Sequence, residues 1–131
     1  MASRSLQNLH PDMQTLAKQF LAECVKQEIY VLIYCTYRSN EEQDYLYKQG
    51  RTIAGKIVTN AKGGQSKHNF TAPDGTPMSK AFDCVPTVNG SLDWFGRGGA
   101  WQKMGDIWVK MGHVWGGNFK SVDRPHFEMK D

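Results

Sequence analysis

The sequence predicts an α+β fold, a small antiparallel sheet with helices packed on one side. Three observations predict it. Pro11 to about Glu28 and Ala100 to Met111 carry apolar residues at helical spacing. Ile29 to Tyr37 and Ala81 to Val88 are rich in β-branched and aromatic residues, which favour strands. Asn89-Gly90 follows the second of these and is a strong hairpin signal, so neighbouring strands run antiparallel. At 131 residues a single domain, 1–131, is expected, large enough to bury a core without staples.

In the first helix Met13, Leu16, Ala17, Phe20, Leu21, Cys24 and Val25 recur at steps of three and four, which lines up one core-facing side. Pro11 suits its first turn, where the missing N–H is not needed. Ile29 to Tyr37 reads as a strand buried on both faces or nearly so, ending at Arg38. Ser39 with Glu42 three residues on makes a capping box, so Glu41 to Gln49 is a short helix, closed by Gly50. Arg51 to Gln65 reads as a polar loop with a short strand at Lys56 to Thr59. Asn69 to Lys80 contains Pro73-Asp74-Gly75-Thr76-Pro77, a run of turn formers that marks an exposed excursion. Ala81 to Val88 is a strand with Phe82 and Asp83 on opposite faces, and Ser91 to Trp94 is its return strand. Phe95 to Gly99 is a linker. The helix from Ala100 places Trp101, Met104, Trp108 and Met111 on a core face and is capped by Gly112. His113 to Trp115, a Gly116-Gly117 turn, and a last strand from Asp123 complete the chain.

The composition is that of an ordinary globular chain, 40% hydrophobic and 22% charged. No apolar run approaches membrane-spanning length. The N-terminal residues show no apolar leader stretch, so no signal peptide is expected. Cys24, Cys35 and Cys84 lie among apolar neighbours without CxxC spacing and read as buried thiols. The net charge of +3 is mild and fits attraction to an anionic polymer. Lys and Arg are spread out and the aromatics fall at core periods, which argues against a nucleic-acid binder.

Two places suggest chemistry. Arg38, at a strand end beside a helix N-terminus, puts a cation and free backbone donors at one corner, suited to a carboxylate. His68, Asp83 and His126 make a two-histidine, one-carboxylate set, which suits a catalytic zinc with its fourth position open. Asp83 in the middle of an apolar strand needs a partner. His10 and His113, beside helix ends, read as non-ligands. The closing Asp123-Arg124-Pro125-His126-Phe127-Glu128 puts His126 between two acids. Asp123 and His126, three apart, fall on opposite faces of a regular strand, and Glu128 falls on the His126 side. Glu128 is therefore the rival general base on local geometry, unless Pro125 or Arg124 bends the chain.

Thr36-Tyr37-Arg38-Ser39, Glu42-Gln43, Leu46-Tyr47 and Gln49-Gly50-Arg51 resemble a stretch of the peptidoglycan L-alanyl-D-glutamate endopeptidases. These are phage endolysins and cell-wall hydrolases of the D-alanyl-D-alanine carboxypeptidase superfamily. Ser66-Lys67-His68 is similar to that family's S-x-H motif, Ala81-Phe82-Asp83 to its A-x-D motif, and Asp123 to Glu128 to its closing D-x-P-H-F-E. The resemblance implies a Hedgehog/D-Ala-D-Ala peptidase-like fold, and at this length no separate wall-binding domain is expected. It implies Zn2+ held by His68, Asp83 and His126, and Asp123 as catalytic base. Arg38 would hold substrate or the developing oxyanion, with Gln43 and Ser66 lining the same site. One departure stands out. Fourteen residues, 69–82, separate His68 from Asp83, with Asn69 to Met78 as an insert and Ser79 where the family has glycine. Asp74 is nearer to His68 in sequence, but its turn dipeptide would not hold it rigidly, and a ligand needs a rigid element.

The resemblance implies a zinc metallopeptidase cutting the peptidoglycan stem peptide at L-Ala–D-Glu. It would be a monomeric endolysin made in the host cytoplasm and released to the wall for host lysis, with no membrane insertion. A D,D-carboxypeptidase or dipeptidase of the same superfamily and a non-catalytic zinc module that binds cell wall are the competing readings.

Overall fold

The structure, a computed structural model, describes residues 2–131. In chain order the main elements are α1 (Pro11–Lys26), β1 (Tyr30–Cys35), α2 (Asn40–Lys48), β2 (Ala81–Val88), β3 (Ser91–Leu92), α3 (Ala100–Lys110), β4 (Val114–Trp115) and β5 (His126–Glu128). The strands pair antiparallel in the order β1-β2-β5-β4, and β3 folds back on β2. The architecture is α+β, as expected.

The core joins α1, α3 and one face of the sheet. Phe82 of β2 and Phe127 of β5 stack with ring centroids 5.5 Å apart. Phe20 of α1 and Trp108 of α3 close over them, with edge contacts of Phe20 and Phe82 on Trp108 at 5.7 and 5.4 Å. The indole N–H of Trp108 donates to the Val114 and Glu128 carbonyls, so burial leaves no polar atom unpaired. Because strand side chains alternate, burying Phe82 in this core turns Asp83 to the other face. Cys24, Cys35 and Cys84 are free and buried. Among the described residues no helix is long and apolar enough to cross a membrane.

Several sequence-based expectations are corrected. Strand β1 is an edge strand, not one buried on both faces: Tyr30 and Leu32 are exposed because only the opposite side meets the core. Lys56 to Thr59 forms no strand; it runs as loop held by side chains, as in Gln49 donating to the Lys56 carbonyl. The return strand stops at Leu92, since the Asp93 carboxylate turns the chain by accepting from Gly96 and Arg97 N–H. Asn69 belongs to the scaffold, not to the excursion: it is buried and its amide donates to the Arg38 carbonyl. The last strand starts at His126, because a turn closed by His126 N–H on the Asp123 carbonyl precedes it.

The long spacing between His68 and Asp83 has a simple structural answer. Met78 N–H donates to the Phe70 carbonyl and Ala72 N–H to the Thr76 carbonyl. The excursion is thus a small closed hairpin whose two ends lie side by side. Ser79, fully buried, ties its base by exchanging hydrogen bonds with Ala81. The insert lengthens the chain without displacing Asp83.

Candidate active site

Three local devices bring the site together. The first is strand register. Asp83 lies directly opposite His126 on β5 and opposite Cys35 on β1, and facing cross-strand residues touch. A register shift between Ile33 and Cys35 marks a bulge at Tyr34, a device that re-aims side chains at sheet edges. The second is a 3-10 turn over Lys67–Asn69, capped by Ser66, whose hydroxyl accepts the His68 N–H. Arg38 N–H donates to the His68 carbonyl at 3.0 Å, so the strand end and the turn are clasped. The third is the turn before β5. Asp123 N–H donates to the Gly116 carbonyl, Trp115 donates its indole N–H to the Arg124 carbonyl, and Cys84 N–H donates to that of Pro125. A Cβ on Gly116 would lie 2.2 Å from the Asp123 carbonyl oxygen, so this close approach requires glycine.

His68 Nε2 lies 3.1 Å from Asp83 Oδ1, and His126 Nδ1 lies 3.4 Å from the same oxygen. The other nitrogen of each ring is already committed. His68 Nδ1 is 2.8 Å from the Thr36 carbonyl, which can only accept, so this nitrogen carries a proton. His126 Nε2 is 2.8 Å from Glu128 Oε1, and donates to that carboxylate. Glu128 is steadied by Lys67 Nζ at 3.2 Å. In the neutral tautomers, both inward nitrogens therefore present lone pairs toward an anionic oxygen. That repulsive arrangement needs a cation between its members: added protons, or a metal ion. A histidine whose outer N–H is fixed by a carbonyl or carboxylate is the usual setting of a metal ligand. The donor set of two imidazoles and a carboxylate fits a divalent ion. Cys35, His68 and Asp83 also have potential ligand atoms within 4.8 Å of one another. Cys35 Sγ, however, lies on the Nδ1 side of His68, 3.8 Å from the nitrogen that binds Thr36, and accepts from Arg38 Nη2 at 3.5 Å. This geometry favours His126 over Cys35 as the third donor.

The same contacts set the electrostatics. Burial lowers the pKa of His68, but Asp83 outweighs it and carries the imidazole to about 10 without a metal. Burial likewise pushes Asp83 up, and the two histidines reverse this, leaving it well below the usual carboxylate range. Arg38 Nη2 is 3.3 Å from Asp83 Oδ2, on the side away from the histidines, while its Nη1 donates to Gln43.

An open cleft of about 960 Å³ runs over these residues, with Tyr34, Arg38, Ile57 and Val58, Val122 and Asp123 among its walls. Asp123 is exposed in that cleft, and its carboxylate has no hydrogen-bond partner among the described residues. The cleft walls partly desolvate it, and this and then the nearby Asp83 raise its pKa in the metal-free protein. Of the residues singled out from sequence, His68, Asp83, His126, Arg38 and Asp123 are brought to one cleft. Ser66 lines it, but its hydroxyl serves the His68 turn. Gln43 is buried, its amide donating to Thr59 and Ala61, and it meets the cleft through Arg38. Glu128 is committed to His126 and Lys67. Asp74 is exposed and accepts from Thr76 N–H. The parts of Thr36, Lys67 and Gly116 went unseen in the sequence, because backbone groups and an unpatterned lysine give no periodic signal.

The sequence profile of VanY, D-alanyl-D-alanine carboxypeptidase, matches residues 6–115. The chain belongs to the VanY family. The matched residues end at Trp115, so Arg38, His68 and Asp83 fall within the VanY match, while Asp123 and His126 lie beyond it. Peptidoglycan L-alanyl-D-glutamate endopeptidase CwlK of Bacillus subtilis strain 168 is 36% identical over 130 residues, covering 93% of this chain and 74% of CwlK. Among solved structures, the L-Ala D-Glu endopeptidase ChiX of Serratia marcescens matches with a TM-score of 0.61 at 17% identity, over 99% of this chain and 89% of ChiX. A mutant of the D,D-pentapeptidase VanY from a VanB-type vancomycin-resistance cassette, in complex with Zn(II), matches with a TM-score of 0.63 at 11% identity, over 92% of this chain and 72% of its own. These structural likenesses establish the shared VanY fold.

Proposed function

We propose that this chain is a zinc-dependent peptidoglycan hydrolase that cuts the stem peptide between L-alanine and D-glutamate. The observation that carries the reading is the pair of histidine lone pairs aimed at one oxygen of Asp83, beside the unpartnered carboxylate of Asp123, in an open cleft. The identity to CwlK supports the substrate and bond. The VanY family description favours a second reading, removal of terminal D-alanine. Digestion of purified peptidoglycan followed by mass analysis separates the two. Sugar fragments carrying a single L-alanine are expected; release of free D-alanine alone would establish the second reading.

His68, Asp83 and His126 would hold the zinc. When bound it supplies Lewis acidity and makes water acidic enough to act near neutral pH, lowering its pKa from about 15.7 toward about 7. Asp123 is placed to take a proton from the attacking water and return it to the leaving amine. Arg38 is fixed by Gln43 and Asp83 with an edge on the cleft, where it can stabilise developing negative charge or a substrate carboxylate. The mild net charge of +3 supports approach to an anionic wall. We place the enzyme in phage-driven host lysis as a monomer. Lysis when it is expressed with a pore-forming partner, and none when expressed alone, is the expected behaviour.

Two variants probe the supporting residues. Glu128→Gln keeps the shape but weakens the hold on the His126 N–H, and zinc affinity is expected to fall by about 10- to 100-fold. Zinc titration of the purified variant reads this, and unchanged affinity would remove Glu128 from the scaffold. Arg38→Lys keeps the charge and loses the fork. Turnover is expected to fall clearly with the fold retained; unchanged kinetics would end the role given to Arg38.

A further inference from the structure

The sheet face that carries Asp83 continues into aromatic surface that the hydrolytic site does not use. Tyr34, in the cleft wall, makes an edge contact with the ring of Trp94, centroids 5.6 Å apart. Trp94 is 52% exposed and the next residue, Phe95, is 85% exposed. Such exposure of two adjacent large aromatics is costly unless something covers them. The loop that bears them is built rigidly. Buried Asp93 accepts from Gly96 N–H at 3.1 Å and from Arg97 N–H at 2.8 Å. Trp101 donates its indole N–H to the Trp94 carbonyl at 3.0 Å. Gly96 has a φ of +75° and a Cβ there would lie 2.3 Å from Trp101, so only glycine fits. The loop backbone is therefore fixed, with the Trp94 ring 5.6 Å from that of Tyr34 and 6.4 Å from that of Trp101 and the Phe95 ring in solvent, a preorganised surface of the kind that lowers the cost of binding.

We propose that Tyr34, Trp94 and Phe95 form an aromatic platform that seats the sugar chain of the peptidoglycan substrate, next to the scissile bond. The proposal rests on the hydrolase reading. In peptidoglycan the L-alanine of the stem is joined to a lactyl group on the sugar. The bond assigned for cleavage therefore lies one residue, about 3.5 Å of extended chain, plus that lactyl group from the glycan. A hydrolase of this bond must place a sugar ring close beside its cleft. The Tyr34–Trp94 pair supplies apolar ring faces that begin in the cleft wall, and sugar C–H groups pack on such faces. Continuity through Tyr34, which belongs to cleft and platform alike, favours the glycan over a second protein chain.

Binding can be measured apart from cleavage. Glycan strands stripped of their stem peptides are sedimented with the zinc-loaded wild type, with Phe95→Ala and with Trp94→Leu. The wild type is expected to co-sediment, and each variant to bind about tenfold more weakly, which is about 1.4 kcal/mol. In parallel, kcat/KM is measured on a sugar-bearing stem peptide and on the same peptide without sugar. The ratio of the two is expected to fall about tenfold in the variants, mainly through KM. Phe95→Ala should melt as the wild type does, because that ring is 85% exposed. The platform is overturned if the wild type ignores bare glycan, if the variants leave the ratio unchanged, or if size-exclusion shows a wild-type dimer that they dissociate. Failure of the wild type to cut either peptide would instead sink the hydrolase reading, and the sedimentation result would stand independently of it.

Discussion

Asp123→Asn is expected to lower hydrolysis by about a hundred- to ten-thousand-fold, the usual worth of a positioned general base, while fold and zinc content stay as in the wild type. The side chain stands in the cleft with no partner among the described residues, so its amide replacement breaks no contact that holds the structure. The turn that places it is made by backbone groups, of Gly116, Asp123 and His126. The pH dependence adds a second readout. The base must be ionised to act, and in the metal-free protein partial desolvation by the cleft walls, then the nearby Asp83, raise its pKa above the ordinary value of 3.8. Wild-type kcat/KM should therefore fall as pH drops and Asp123 takes up a proton. Glu128→Gln should leave that acid limb where it is, because Glu128 is committed to His126 and Lys67. Full activity in Asp123→Asn would transfer the base role elsewhere.

Asp83→Ala is expected to abolish zinc binding and to destabilise the metal-free protein by about 3–5 kcal/mol, the cost of stripping the partner from buried charges. Asp83 meets His68, His126 and Arg38 at once, so its loss leaves several cationic or lone-pair groups facing one another. Thermal or denaturant unfolding of metal-free protein measures this; a change under about 0.5 kcal/mol, typical of a surface substitution, would contradict it. The pH profile of the metal-free wild type follows from the same cluster, with opposite signs for its two kinds of partner. Asp83 has a depressed pKa, so its contribution is present above the ordinary 3.8 and is lost as pH falls through the lower folded value. His68 is raised from 6.5 to about 10, so its contribution is full below pH 6.5 and is lost as pH rises through about 10. Stability of the metal-free form should be greatest between about pH 4 and 6.5 and decline on the alkaline side.

Much of this was legible in the sequence because it rests on periodicity and local chemistry. Ala81 to Val88 was readable as a strand from its β-branched and aromatic residues, and with it the opposed faces of Phe82 and Asp83. Ser39 with Glu42, and Asn89-Gly90, announced a helix start and a hairpin through side-chain and left-handed backbone preferences, and Asn89 and Gly90 indeed take φ of 52° and 80°. What stayed hidden was tertiary. That β1 is an edge strand depends on where β5 and β4 dock, which its own apolar run does not encode. How Asp123 and Glu128 are separated depends on one turn, held by backbone bonds and by the Trp115 indole on the Arg124 carbonyl. The length of the insert does not encode where its ends lie, and the clasp of Phe70 with Met78 brings them together. The bulge at Tyr34 and the platform beyond it left no trace in residue spacing.

The most direct measurement is the zinc content of purified, dialysed protein, by metal analysis, in the wild type, His126→Ala and Cys35→Ser. One zinc per chain is expected in the wild type and in Cys35→Ser, and none in His126→Ala. Zinc retained in His126→Ala but lost from Cys35→Ser would place the metal on Cys35, His68 and Asp83, and would contradict the site described above.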